Sequence, residues 1–81
     1  MIYYTYVLLS SRNNDIYIGS TAGLQNRINR HNQGKVKSTR AYRPWKLVEY
    51  HEFDSRSEAF KQEMFLKNHQ QKEILKKKYS V

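Results

Sequence analysis

The chain has 81 residues, enough for one small hydrophobic core and too few for a second. Lys and Arg outnumber Asp and Glu by fifteen to seven, a formal charge of +8 that favours a polyanionic partner, nucleic acid above all; the plainer meaning of such charge is solubility. Cysteine is absent, which excludes a disulfide framework and a thiolate zinc site. No apolar run approaches the roughly twenty residues of a membrane span, and Met1-Ile2-Tyr3-Tyr4 has no basic region ahead of an apolar signal core. A cytoplasmic protein with no membrane association, forming a single domain over residues 1–81, is expected.

Tyr3 to Leu9 is a β-branched and aromatic run, Ser10 to Asp15 is polar around Asn13-Asn14, and Ile16-Tyr17-Ile18 resumes the apolar character. A β-hairpin is predicted. An even loop centred on Asn13-Asn14 pairs Ser10 with Tyr17, placing Tyr4, Tyr6, Leu8 and Tyr17 on one face and Val7, Leu9, Ile16 and Ile18 on the other. Leu24, Arg27, Ile28 and His31 recur at helical spacing up to Gln33, and Gly34 stands where a left-handed C-cap belongs. Lys35 to Arg43 mixes cations with Ser38, Thr39 and Tyr42 without a period and reads as a mobile basic loop closed by Pro44. A third strand follows from about Trp45 to Phe53.

Ser55-Arg56-Ser57-Glu58 has the form of a capping box, with Glu58 returning its carboxylate to the Ser55 backbone, and starts a second helix that should reach about Asn68. Gln71 to Tyr79 carries Ile74, Leu75 and Tyr79 at helical spacing among Lys76, Lys77 and Lys78, which suggests a short basic helix docked on the body. Within the second helix, Glu63 falls in the middle of the arc formed by Leu66, Ala59, Lys67 and Phe60, its most apolar face. A carboxylate turned toward a core costs several kcal/mol unless paired or metal-bound. An ion pair with Arg27 or Lys67, or a helix rotated enough to leave Glu63 in water, is the structural alternative. Arg27 and His31, four apart, share one side of the first helix; His31 also has a bland reading, as a cation near the helix C-terminus.

Tyr4-Thr5-Tyr6 followed by Tyr17-Ile18-Gly19 resembles the paired tripeptides of the GIY-YIG nuclease superfamily, the second outright and the first in its final tyrosine. Leu24 through Asn32 is similar to that family's first helix, with Arg27 at its essential arginine and His31 at a histidine found in many members. Ser57 through Lys67 is similar to the helix carrying the metal-binding glutamate, at Glu63. The resemblance covers about Tyr3 to Asn68 and is nearest to small stand-alone bacterial members described as excision-nuclease-like. It implies an α+β fold, a three-stranded antiparallel sheet flanked by helices, in agreement with the element order above.

The resemblance also implies phosphodiester hydrolysis with one Mg²⁺ or Mn²⁺ ion held by Glu63, a proton-accepting role for Tyr6 or Tyr17, phosphate binding by Arg27, and a proton-shuttling or orienting role for His31. A tyrosine in that role calls for a phenol pKa well below its usual value of about 10, with Arg27, the ion and Lys67 as agents of the depression. Lys35, Lys37, Arg40, Arg43 and Lys46, with Lys67, form the expected nucleic-acid track, DNA favoured over RNA, while Trp45 is assigned to the core. Nothing in the sequence resembles a groove-reading helix or a zinc finger, so selection by substrate structure, or by a protein partner supplying specificity, is expected over base readout. Two other classes stay open: a non-cleaving nucleic-acid-binding module, and an interaction subunit of a repair complex docking through its basic tail.

Overall fold

The computed structural model describes residues 1–79. Strand β1 (Tyr3–Ser10) lies between β2 (Ile16–Thr21) and β3 (Trp45–Phe53) in an antiparallel sheet of order β2-β1-β3. Four successive residues of β1, Thr5 to Leu8, are buried, because a central strand covered on both faces has no solvent side on which to alternate. Tyr6, Leu8 and Trp45 form one core cluster, against which Tyr17, Leu47 and two residues of helix α1 (Leu24–Asn32), Leu24 and Ile28, pack. Val7, Ile16 and Ile18 form the other with Leu66 of α2 (Arg56–Leu66) and Leu75 of α3 (His69–Tyr79). The fold is therefore α+β, with α1 on one face of the sheet and α2 and α3 on the other.

Both strand faces agree with the sequence expectation, but the hairpin register does not. Tyr17 faces Leu8, two residues from the predicted Ser10. The Ser10 hydroxyl oxygen accepts from the N–H groups of Arg12 and Asn13 at 3.1 and 3.2 Å, Asn14 adopts φ 61°, and the Ser10 N–H donates to the Asp15 carbonyl at 2.8 Å. The turn thus closes sooner than predicted. A displacement of two leaves each side chain on its predicted face, since strand side chains alternate with period two. Between β1 and β3, Val7 faces Glu49 while Leu8 faces Leu47; the extra residue, Val48, bulges and packs on the α2/α3 side.

Gly34 ends α1 with φ 79° and donates its N–H to the His31 carbonyl, as its position predicts. The following segment is not the unstructured basic loop expected. Thr39 and Arg40 both donate their N–H groups to the Val36 carbonyl, a 3-10 turn spans Arg40–Tyr42, and the Trp45 indole N–H donates to the Thr39 carbonyl at 2.8 Å. Asn32 fastens the segment's far end: its amide donates to the Trp45 carbonyl and its carbonyl oxygen accepts the Trp45 N–H. The order comes from short-range turns and one buried indole, neither of which produces a periodic pattern.

Ser55 caps α2, accepting from the Glu58 N–H at 3.2 Å. The Glu58 carboxylate accepts from the Ser55 hydroxyl at 3.0 Å in place of the predicted Ser55 backbone. Helix α2 stops at Leu66, short of Asn68, because the Asn68 side chain accepts from the Gln70 N–H at 2.9 Å and opens α3 two residues earlier than predicted. Leu75 anchors α3 in the core, and the Tyr79 hydroxyl donates to Glu49.

Candidate active site

The site is built around two consecutive residues of β2, Gly19 and Ser20. Gly19 pairs with Tyr6 across the sheet, and the Tyr6 ring lies over it so closely that a Cβ there would meet the Tyr6 hydroxyl at 2.6 Å. Glycine is needed here for the space its missing side chain leaves. The next residue points through the sheet: the Ser20 hydroxyl donates to Glu63 Oε1 at 2.6 Å. Tyr6 thus reaches β2 from the α1 side and Glu63 from the α2 side. Glu63 is near enough for its charge to oppose ionisation of Tyr6.

On the α1 side, Arg27 and His31 stand one helical turn apart and both reach Tyr6. Arg27 Nε–H donates to the Tyr6 hydroxyl at 3.4 Å, and the hydroxyl lies 3.0 Å from His31 Nε2. Tyr17 completes the group, its ring centroid 4.8 Å from that of His31 and 6.3 Å from that of Tyr6. His31 Nδ1 is 2.8 Å from the Thr39 hydroxyl, whose single hydrogen is directed at the Val36 carbonyl 3.3 Å away. With the Thr39 hydrogen on the Val36 carbonyl, Nδ1 carries the imidazole proton and the Nε2 lone pair faces the Tyr6 hydroxyl. The chain of donors runs from Arg27 through Tyr6, His31 and Thr39 to a backbone carbonyl.

Burial sets the protonation of this chain. It pushes the Tyr6 phenol up to about 12, the Arg27 hydrogen bond offsetting only part of the effect. Arg27 alone does not depress the Tyr6 phenol: loss of hydration around a side chain 1% exposed outweighs one neighbouring cation. Burial likewise holds His31 down at about 4, with Arg27 and Arg30 adding to the shift. At neutral pH both rings are uncharged, so His31 is not the helix-capping cation of the plainer reading.

Glu63 is buried, and its second oxygen accepts from Lys67 Nζ at 2.7 Å. The ion pair anticipated as the structural alternative is thus formed, to Lys67 and not to Arg27. No cluster of three or more His, Asp, Glu or Cys side chains suited to a metal occurs among the described residues. A single carboxylate with a hydroxyl beside it is the kind of donor set that would suit a hard cation keeping most of its waters, the habit of Mg²⁺, once Lys67 gives up its place. It does not suit a fully protein-ligated ion.

The profile of the GIY-YIG catalytic domain matches residues 2–80. The chain belongs to the GIY-YIG family. A UPF0213 protein of Pediococcus pentosaceus is 40% identical over 62 residues, 75% of this chain and 64% of that protein. One from Bacillus velezensis is 42% identical over 62 residues, 75% of this chain and 62% of that protein, so the match spans a little under two thirds of the length of either. A UPF0213 protein of Staphylococcus haemolyticus is 36% identical over 75 residues, covering 91% of this chain and 90% of that one. The solution NMR structure of a UPF0213 protein from Bacillus halodurans superposes with a TM-score of 0.55 at 30% identity, over 99% of this chain and 88% of that one. The GIY-YIG assignment read from the tripeptides and the α+β architecture both hold.

Of the residues singled out in this GIY-YIG chain, Tyr6, Tyr17, Arg27 and His31 come together on one side of the sheet, while Glu63 stands on the other side, bonded to Ser20 and Lys67. Lys35, Lys37, Arg40, Arg43 and Lys46 are all exposed. Arg43 is tied down, its guanidinium donating to the Arg40 carbonyl at 2.8 Å and lying against Gly34. Trp45 is core, as expected. Sequence reasoning passed over Ser20 and Thr39 as site residues. Ser20 directly follows the second tripeptide, which was a usable signal; Thr39 sits in a segment without period and gave none. No helix among the described residues is long and apolar enough to cross a membrane.

Proposed function

We propose that this chain is a metal-dependent phosphodiesterase acting on DNA in preference to RNA and selecting substrate by structure. The observation that supports the reading is a phenol hydrogen-bonded to a guanidinium and an imidazole on one side of β2, with a buried carboxylate bonded to Ser20 on the other. Arg27 bonds Tyr6 through Nε–H and also engages Tyr17; the remaining guanidinium N–H groups would hold the scissile phosphate and stabilise the charge that builds on it. As water attacks phosphorus, its proton would pass to the Tyr6 oxygen while the Tyr6 proton passes to His31 Nε2; the weakly basic imidazole then returns it through Tyr6 to the departing 3′ oxygen. A phenolate never has to stand free in the buried site, which is how a phenol with a raised pKa serves. Tyr17 packs against His31 and Tyr6 and keeps the relay in register. Glu63 and Ser20 would hold a Mg²⁺ or Mn²⁺ ion, Lys67 moving aside; when bound, the ion supplies stabilisation of the departing 3′ oxygen.

The test is incubation with nicked, branched and single-stranded DNA, and with RNA, in Mg²⁺ or Mn²⁺, beside a Glu63→Gln control. Cleavage by the parent and not by the control supports the reading. A parent that binds these substrates with steep salt dependence and cuts none would replace it with the second reading, a non-cleaving nucleic-acid-binding module. That alternative has its own support: both Glu63 oxygens are already engaged, by Ser20 and Lys67.

A further inference from the structure

On the α2 side, next to Glu63, lies a cavity of about 230 Å³ that the hydrolytic scheme does not use. Its walls are Tyr3, Ser20, Thr21, Ala22, Arg56 and Ala59, so it opens between the outer ends of β1 and β2 and the first turns of α2. That space exceeds several water molecules, each of which takes about 30 Å³ in the liquid. Ser20 belongs to both places: it lines the cavity and donates to Glu63.

Two groups in this cavity have donors to spare. The Arg56 guanidinium lies 5.7 Å from the centroid of the Tyr3 ring, held against the wall by its face, and no ion pair engages it among the described residues. The Thr21 hydroxyl oxygen accepts from the Gly23 N–H at 3.1 Å, which fixes its direction and leaves its own hydrogen to offer. Arg56 is also the first residue of α2, where the helix dipole favours anions and disfavours a cation.

We infer that this cavity is a phosphate subsite, in which Arg56 and Thr21 take the phosphodiester group next to the scissile one on the same strand. The inference rests on the hydrolytic reading above for the location of the scissile phosphate. Phosphodiester chemistry suits the groups present: a planar fork meets two non-bridging oxygens, a hydroxyl takes a third contact, and the Tyr3 ring presents an apolar side for the sugar.

The experiment is titration of a fluorescein-labelled nicked DNA duplex by anisotropy in EDTA, at several salt concentrations, for the parent, Arg56→Ala, Arg56→Lys and Ala22→Phe. Arg56 and Ala22 are exposed, so these chains fold, which circular dichroism verifies. Arg56→Ala should bind about tenfold more weakly and flatten the slope of log K against log salt by about 0.9, the signature of one lost phosphate contact. Arg56→Lys should keep the slope, and Ala22→Phe, which fills the cavity without altering charge, should lose affinity and slope together. Unchanged binding by Arg56→Ala would overturn the subsite and leave the hydrolytic reading intact. Loss with Arg56→Ala but none with Ala22→Phe would move the contact out of the cavity and overturn it equally. A parent that binds no nucleic acid at low salt overturns both readings at once.

Discussion

The Tyr6 hydroxyl lies 3.0 Å from His31 Nε2, with both side chains sealed from solvent. A phenol and an imidazole so placed exchange a proton only if the imidazole presents a lone pair. The residue that ensures this is Thr39, from the other side of the ring. Thr39→Val keeps the volume and strands the buried Nδ1–H, which should cost about 1–3 kcal/mol in urea unfolding. Nitrogen-15 shifts of His31 should report a mixture of tautomers, and turnover should fall with little change in substrate binding. Thr39→Ser, which retains the hydroxyl, should restore all three.

His31 also dictates a pH dependence. Its folded pKa of about 4 lies below the ordinary 6.5, so between these values the unfolded chain binds more protons than the folded one. Stability is therefore unaffected above pH 6.5 and declines as pH falls toward 4, by up to about 1.4 kcal/mol per pH unit. Urea midpoints measured from pH 7.5 to 4 should show this slope, and His31→Gln should reduce it.

Gly19→Ala probes the close approach at the second tripeptide. The added methyl would lie 2.6 Å from the Tyr6 hydroxyl, 2.7 Å from its Cζ and 3.2 Å from Tyr17 Cε2. Tyr6 is wedged between the sheet and α1 and has nowhere to retreat. A destabilisation of about 1–3 kcal/mol is expected, with hydrolysis falling further than stability explains. Thermal unfolding and turnover measured on the same sample separate the two effects.

Arg27→Lys keeps the charge and removes the fork. If Arg27 holds the scissile phosphate while bonded to Tyr6, lysine cannot make both contacts, and turnover should drop about 10²–10³-fold. Affinity for uncut DNA should change by only a few fold. Single-turnover kinetics and anisotropy on the same oligonucleotide provide the comparison.

Much of this arrangement was legible in the residues because strand alternation is robust. Tyr6 and Tyr17 were placed on one face correctly even though the hairpin closes two residues sooner than expected, since an even displacement preserves faces. Glu63 was found because a carboxylate among Ala59 and Leu66 contradicts its surroundings. Its partner Lys67 lay among the alternatives, but its approach from the side of the sheet opposite Tyr6 depends on how α2 packs, which helical periodicity does not encode. Thr39 was missed because its burial comes from a turn and the Trp45 indole, not from any repeating pattern. The upward push of burial on Tyr6 is not legible in the sequence, because counting nearby cations says nothing about the water a folded chain removes.

The two halves of the site hang on neighbouring peptides of a strand at the margin of the sheet. If β2 slid by one residue along β1, Tyr17 would turn toward α2 and Ser20 toward α1, parting the phenols from each other and the carboxylate from its hydroxyl in a single movement. Under the hydrolytic reading, strand alignment and chemical competence become one property, and a variant that loosens the hairpin should lose hydrolysis while still retaining its helices and sheet.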